Sequence, residues 1–161
     1  MRQLTLVPTD EVWFEVSESN LLAREMADRH YSRVHVGSKY FVGPGERLIL
    51  MTYDLKALFV WRKQKYRQDG QWGVECSLFR NEGSTLGKSS ELILEAEKKA
   101  LEKWSDTKRF YTYVNPNKVN SSYPGYSFKK AGWRCVGTSK GGLLLYVKYI
   151  EPTLFDKVYI Q

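Results

Sequence analysis

The sequence predicts an α+β domain, a mixed but mostly antiparallel sheet flanked by helices. Three observations carry that reading. A strand–loop–helix–strand unit fills residues 72–113, a run of short β-prone segments with turn signals precedes it, and a short helix with a hairpin follows.

The central unit reads WGVECSLFRNEGSTLGKSSELILEAEKKALEKWSDTKRFYTY. Residues 73–80 hold Val74, Cys76, Leu78 and Phe79 and suit a half-buried strand. The loop NEGSTLGKSS is rich in Gly and Ser. A helix is expected over 90–104, because Ile93, Ala96, Ala100 and Trp104 recur at helical spacing. Ser89 or Ser90 is its expected N-cap, and Glu91 opposes the positive helix end. Residues 109–114 return as a strand. Free amides at the helix tip would suit an anion such as a pyrophosphate. Most loops of this composition only join two elements.

Upstream, residues 2–7 alternate and predict a strand. Residues 11–16 form either a second short strand or a loop that packs Trp13. Residues 17–20 offer several N-caps for a helix over 21–31, with Leu22, Met26 and His30 on one face. His30 then lies in the core beneath that helix or projects from its last turn into a cleft. Residues 34–47 read as a long loop, a binding segment or lid, with Tyr40, Phe41 and Val42 as a hydrophobic plug. Residues 48–53 and 58–64 pair as a hairpin through 54–57, and Asp69-Gly70 marks the next turn. Downstream, Asn115-Pro116 ends a strand, and Ser121 or Ser122 caps a short helix near 124–131. Pro124 suits its first turn and Gly132 its stop. Residues 133–136 and 143–149 form the last hairpin, and the tail EPTLFDKVYIQ is apolar enough to dock at an edge.

The chain has 161 residues, enough for one domain with one core. Its net charge of +7 favours a polyanionic partner, although a solvated basic surface gives the same figure. Cys76 and Cys135 show no zinc spacing and read as free thiols in a cytoplasmic protein. No apolar run approaches the roughly 18 residues that span a bilayer, so no membrane partner is expected. The opening MRQLTLVPTDEVWF lacks the apolar core of a signal peptide. Arg62, Lys63, Lys65 and Arg67 cluster near Tyr66 and Trp72, and Lys129, Lys130, Arg134 and Lys140 form a second basic group. Cations interleaved with aromatics suit phosphate contact and base stacking; solubility alone is the plainer explanation.

The order of elements resembles the GNAT acyltransferase fold. That resemblance implies two adjacent parallel strands that splay, a pantetheine arm in the gap, and the pyrophosphate of an acyl-coenzyme A on the helix after the meander. Arg80 and Gly83 match the first two marked positions of the fold's Q/R-x-x-G-x-G/A signature, and Thr85 departs from the third. The departure bears against conventional coenzyme A binding. YPGYSFKKAGWRCVG is similar to the GNAT segment where a short helix ends before the last hairpin. HYSR, VGPGERL, FRNEG, SSELI, YTYV, NPxKVxSxxPGYxFKxAGWR and GxxKGGLL also resemble phage and prophage proteins of the Mom DNA-modification family, over most of residues 25–147. The family resemblance implies an enzyme that converts adenine N6 in phage double-stranded DNA to a carbamoylmethylated form and so evades host restriction. It implies an acyl-coenzyme A or related donor and an iron requirement; a homodimer is also open.

Adenine N6 is a poor nucleophile packed inside the duplex. Its site needs an opened base, an aromatic platform and a general base or metal. Under the resemblance, His30 and Tyr31 are base and positioning group, or iron ligands, with Ser32 beside them. Alternation puts Tyr111, Tyr113 and Asn115 on one face of their strand. With Phe110 and Val114 in the core, Tyr113 and Asn115 face the cleft, and Lys118 follows as a DNA contact. Tyr126 falls where many GNAT enzymes keep a tyrosine that protonates the leaving thiolate. Arg80, Asn81, Glu82 and Gly83 open the donor loop, with Ser89 and Ser90 as phosphate donors or simple caps. Glu82 is a base, a ligand or an organiser of loop amides. Two other functions remain open: a conventional acetyltransferase for a small amine or protein, and a non-catalytic DNA-binding anti-restriction protein.

Overall fold

The computed structural model describes residues 11–65, 69–118 and 123–151. The expected strand over 2–7, the caps Ser121 and Ser122, Arg67 and the tail from 152 lie outside them. The elements are β1 (Trp13–Val16), α1 (Leu21–Asp28), β2 (Glu46–Thr52), β3 (Ala57–Lys63), β4 (Val74–Asn81), α2 (Ser89–Lys103), β5 (Arg109–Val114), α3 (Tyr126–Lys130), β6 (Arg134–Thr138) and β7 (Leu144–Tyr149). The strands make one sheet in the order β1-β2-β3-β4-β5-β7-β6. Neighbours run antiparallel except β4 and β5, which are parallel.

Each face of the sheet carries its own apolar layer. On one side Ala23, Met26 and Ala27 of α1 pack on Ile49, Met51, Leu58 and Val60. On the other, Leu92, Ile93, Ala96 and Ala100 of α2 pack on Leu50, Phe59, Trp61 and Phe110. The tryptophans fix α2 by direction as well as by burial. Trp13 and Trp61 donate their indole N–H groups to the Leu92 and Ala96 carbonyls at 2.9 and 3.0 Å. Trp133 donates to the Glu97 carboxylate at 2.9 Å, and Lys148 closes on the same carboxylate at 2.7 Å. A large apolar ring with one polar handle suits this task.

The parallel pair is short. β4 and β5 are in register only at Val74–Phe110, Glu75–Tyr111 and Cys76–Thr112. There Thr112 donates its hydroxyl to the Cys76 carbonyl at 2.7 Å. Beyond that bond the strands part. The cause is visible on the other edge of β4. Val60 faces Leu78 and Trp61 faces Cys76, so Ser77 is an extra residue, a β-bulge. A bulge bends its strand and increases the local twist. It also changes the face: Cys76 points into the α2 layer and Leu78 into the α1 layer.

Most element boundaries agree with the sequence reading; three differ in ways that matter. α1 stops at Asp28, capped at its start by Asn20, so His30 and Tyr31 stand beyond the helix rather than on its face. The N-cap of α2 is Lys88, not Ser89 or Ser90, with the Glu91 carboxylate accepting the Lys88 N–H at 2.8 Å. The loop over 34–45 is tied down: Glu18 accepts the Phe41 and Val42 N–H groups at 2.8 Å each, and Arg33 reaches Asp28 at 2.6 Å and the Ser38 carbonyl at 2.7 Å. Val42 is buried as a plug, whereas Tyr40 is exposed. These bonds anchor the segment at Glu18 and Asp28.

Candidate active site

A cavity of about 280 Å³ opens where β4 and β5 part. Its walls are Cys76 to Phe79 of β4 and Thr112 to Val114 of β5. α3 and the turn before it add Tyr123, Gly125, Tyr126, Ser127 and Phe128, and the segment after α1 adds His30 and Tyr31. A second cavity of about 290 Å³ continues from it past Tyr31, Ser32, Glu75, Ser77, Tyr113, Asn115 and Lys118. His30, Tyr31, Ser32, Tyr113, Asn115 and Tyr126, which the sequence singled out from separate segments, therefore converge on one slot. Gly125 lets α3 approach. Its φ is +83°, and a Cβ there would sit 2.4 Å from the Tyr146 ring. The Tyr146 hydroxyl donates to the Pro124 carbonyl at 2.8 Å, which holds that turn.

His30 is neutral and occupied. Its ring stacks on Tyr31 with centroids 4.2 Å apart. Nδ1 accepts the Ser32 N–H at 3.1 Å and lies 2.7 Å from the Ser32 hydroxyl. A backbone N–H can only donate, so the ring proton is assigned to Nε2. Burial, with Arg80 nearby and despite a hydrogen bond to the Phe79 backbone, lowers the pKa to about 4. Nδ1 is thus engaged by Ser32, with the Phe79 backbone beside the ring. His30 and Tyr31 stack on each other, and among the described residues no group of three or more His, Cys, Asp or Glu side chains, with His30 or without it, could hold a metal ion. Burial raises the Tyr31 pKa, so its phenol stays protonated, and the Asn115 N–H points at its oxygen from 3.5 Å. The Asn115 side chain is used locally, accepting the Asn117 N–H at 3.0 Å. Tyr113 lines the slot with its ring and donates its hydroxyl to Asp69 at 3.0 Å.

The loop from β4 to α2 is closed on itself. Asn81 Oδ1 accepts from the Gly83 and Ser84 amides, and its Nδ2 donates to the Ser89 hydroxyl at 3.0 Å. Ser90 sits one residue further into α2, half-buried. Glu82 is the centre of an ion-pair cluster. Arg29 grips it at 2.7 and 2.9 Å and Arg80 binds it as well, and these contacts lower its pKa to about 2. Arg80 also donates to the Arg29 carbonyl at 2.9 Å, which ties the end of α1 to β4.

The basic residues divide. Arg62 is committed to a buried bond with Glu75 at 2.7 Å, so its part is structural rather than DNA contact. Lys63 lies 3.6 Å from Asp106. Lys65, Lys118, Lys129, Lys130 and Arg134 are exposed, Lys129 and Lys130 in the last turn of α3 and Arg134 at the start of β6. Four participants escaped the sequence reading. Ser77 showed itself only as a break in the alternation of β4. Asp54 read as a turn residue, and Tyr123 was one aromatic among many. Glu75, an acid inside an apolar strand, was the most legible signal of the four.

No family model matches the chain, and no curated protein matches it either. Among solved structures it is similar to an aminoglycoside acetyltransferase, AAC(6')-Ib, solved with coenzyme A and kanamycin. The TM-score is 0.62 at 13% identity, covering 93% of this chain and 99% of that one. It is also similar to an acetyltransferase from Thermus thermophilus, with a TM-score of 0.56 at 16% identity over 87% of this chain and 98% of that one. The chain has the GNAT fold: a mixed seven-stranded sheet, parallel strands that splay, and a helix following the first of them.

Proposed function

We propose that the chain is a GNAT-fold transferase whose acceptor is the N6 amine of adenine in DNA, modified in the manner of the Mom family. The observation that carries this is the slot between β4 and β5, open to solvent and faced by Tyr31, Tyr113, Tyr123 and Tyr126. Tyrosine faces suit a base drawn out of the helix, and Tyr123 and Tyr126 are 73% and 54% exposed. Lys129, Lys130 and Arg134 supply phosphate contacts. The motif resemblance over residues 25–147 supplies adenine as the acceptor.

The reaction replaces one N6–H bond by an N6–C bond, so the slot must orient the amine and take away a proton. His30 acts as a positioning residue here, holding the Tyr31 ring through the stack. Glu75, the carboxylate that lines the second cavity, stands closest in kind to a proton acceptor, and Arg62 fixes one of its oxygens. Tyr126 is the acid toward the departing group. For the carbamoylmethyl product the donor must carry a CH2CONH2 group on a leaving group, which departs with the electron pair of the broken bond as the N6–C bond forms. An acyl-coenzyme A, the donor class that the coenzyme A in the aminoglycoside enzyme's structure supports, would give an N6-amide and belongs to the second reading. No step is routed through the rest of the donor. Iron has no ligand set among the described residues and enters no step.

A conventional acetyltransferase acting on a small amine or protein is the second reading, favoured by the two neighbours. Mass analysis of nucleosides from DNA of cells expressing the chain separates them. Mom-type action gives deoxyadenosine heavier by one carbamoylmethyl group. Unmodified nucleosides with well-expressed, folded protein would exclude it.

A further inference from the structure

Of the five tryptophans, Trp13, Trp61, Trp104 and Trp133 are buried in the core. Trp72 is the exception, 52% exposed and yet held in place. Arg109 donates to the Trp72 carbonyl at 2.7 Å and to Gln71 Oε1 at 2.8 Å. Its guanidinium lies 5.2 Å from the Trp72 ring and 5.9 Å from the ring of Tyr149, which is 54% exposed. The two rings are 6.1 Å apart. Cation–π attraction favours this grouping.

Arg109 itself is 5% exposed. Its described hydrogen-bond partners are a backbone carbonyl and an amide oxygen, with no carboxylate among them, and its Nε has no partner. Burying a guanidinium without a counter-ion costs free energy. The uncancelled charge beside two exposed rings favours an anionic ligand there. The pair is also tied to the slot. Asp69 accepts the Gln71 N–H and the Tyr113 hydroxyl, each at 3.0 Å, so one turn joins the slot wall to Trp72. Arg109, Tyr111 and Tyr113 share one face of β5, and Arg109 pairs with Tyr149 across the sheet. Four residues of strand separate Arg109 from Tyr113, roughly 13 Å.

We propose that Trp72 and Tyr149 form a stacking subsite for an unpaired base of the DNA strand flanking the adenine in the slot. This deepens the DNA-modification reading and rests on it. Drawing one base out of the duplex leaves its neighbours partly unstacked. Aromatic rings take up such a base whatever its identity, and the Arg109 charge attracts the strand that carries it.

Fluorescence titration of the full chain with an oligothymidylate about ten nucleotides long tests this. That strand has no adenine, so nothing is transferred. Trp72 is the one exposed indole, so binding is expected to shield tryptophan emission from acrylamide quenching. Trp72→Ala and Tyr149→Ala are each expected to weaken binding about tenfold, and Trp72→Phe, which keeps an aromatic face, to stay within about threefold of the wild type. Absence of binding, binding without shielding, or a folded Trp72→Ala protein within about threefold of the wild type overturns the proposal. If the Ala variants fail to fold, the shielding of the wild type decides alone. Shielding that grows with protein concentration before any oligonucleotide is added assigns the rings to a contact between copies of this chain and also overturns it. Modified deoxyadenosine in cells, together with no shielding, sinks this subsite and leaves the DNA-modification reading standing.

Discussion

The His30 ring is held between Ser32, Tyr31 and the Phe79 backbone, and burial keeps it uncharged. Its folded pKa, about 4, lies below the ordinary 6.5, so the unfolded chain binds the proton more readily. The contribution is complete above pH 6.5 and is lost as pH falls from 6.5 through 4. The denaturation midpoint should drop across that window, and His30→Gln should flatten the drop. A His30 ring titrating near 6.5 by NMR would refute this. Glu82 adds a second limb, lost between its ordinary 4.5 and about 2 as Arg29 and Arg80 lose their partner. If Tyr126 is the acid of the proposed transfer, replacing its hydroxyl removes the acid and leaves the ring in place. Tyr126→Phe should lower turnover on the order of 100-fold in a single-turnover assay with little change in DNA affinity. Residue types were legible in the sequence here, because aromatics and His30 beside Tyr31 are conspicuous. Their states were not: which nitrogen of His30 is occupied depends on Ser32 and Phe79, and no spacing encodes that.

At the scale of elements, helix periodicity and turn signals located α2, β5 and the hairpins well, because each is fixed by local pattern. β4 is the exception. Its alternation breaks at Ser77, and the consequence, two strands parting after Cys76 and Thr112, is a matter of twist between neighbours. The end of α1 was set by tertiary contact, with Arg29 and Arg80 sharing Glu82. α3 depends on one glycine. Gly125→Ala must hold a positive φ and push its Cβ into Tyr146, so it should destabilise the protein by about 1–3 kcal/mol in chemical denaturation and narrow the slot. Wild-type stability in that variant would mean that α3 is not seated as described.

For the whole molecule, the GNAT fold followed from element order, and the convergence of Tyr31, Tyr113 and Tyr126 followed from the fold. Charge was legible as a total and as two basic clusters, but not which cations are paired. The sequence could not distinguish Arg62, spent on Glu75, from Lys129, Lys130 and Arg134, which are exposed to solvent. If those three meet DNA phosphates, reversing them to Glu should weaken binding to all duplex sequences alike. The slope of log affinity against log salt should shrink by about 0.9 for each contact removed. An unchanged slope would place the DNA elsewhere.

The central claim is that adenine is modified inside the opening between β4 and β5. Ser127 lines that opening from α3 and is half-buried, so Ser127→Trp fills the space from the α3 side. The measurement is the fraction of modified deoxyadenosine in DNA from cells expressing the wild type or Ser127→Trp at equal levels of folded protein. The account predicts modification by the wild type and its loss in the variant; equal modification by both would contradict it.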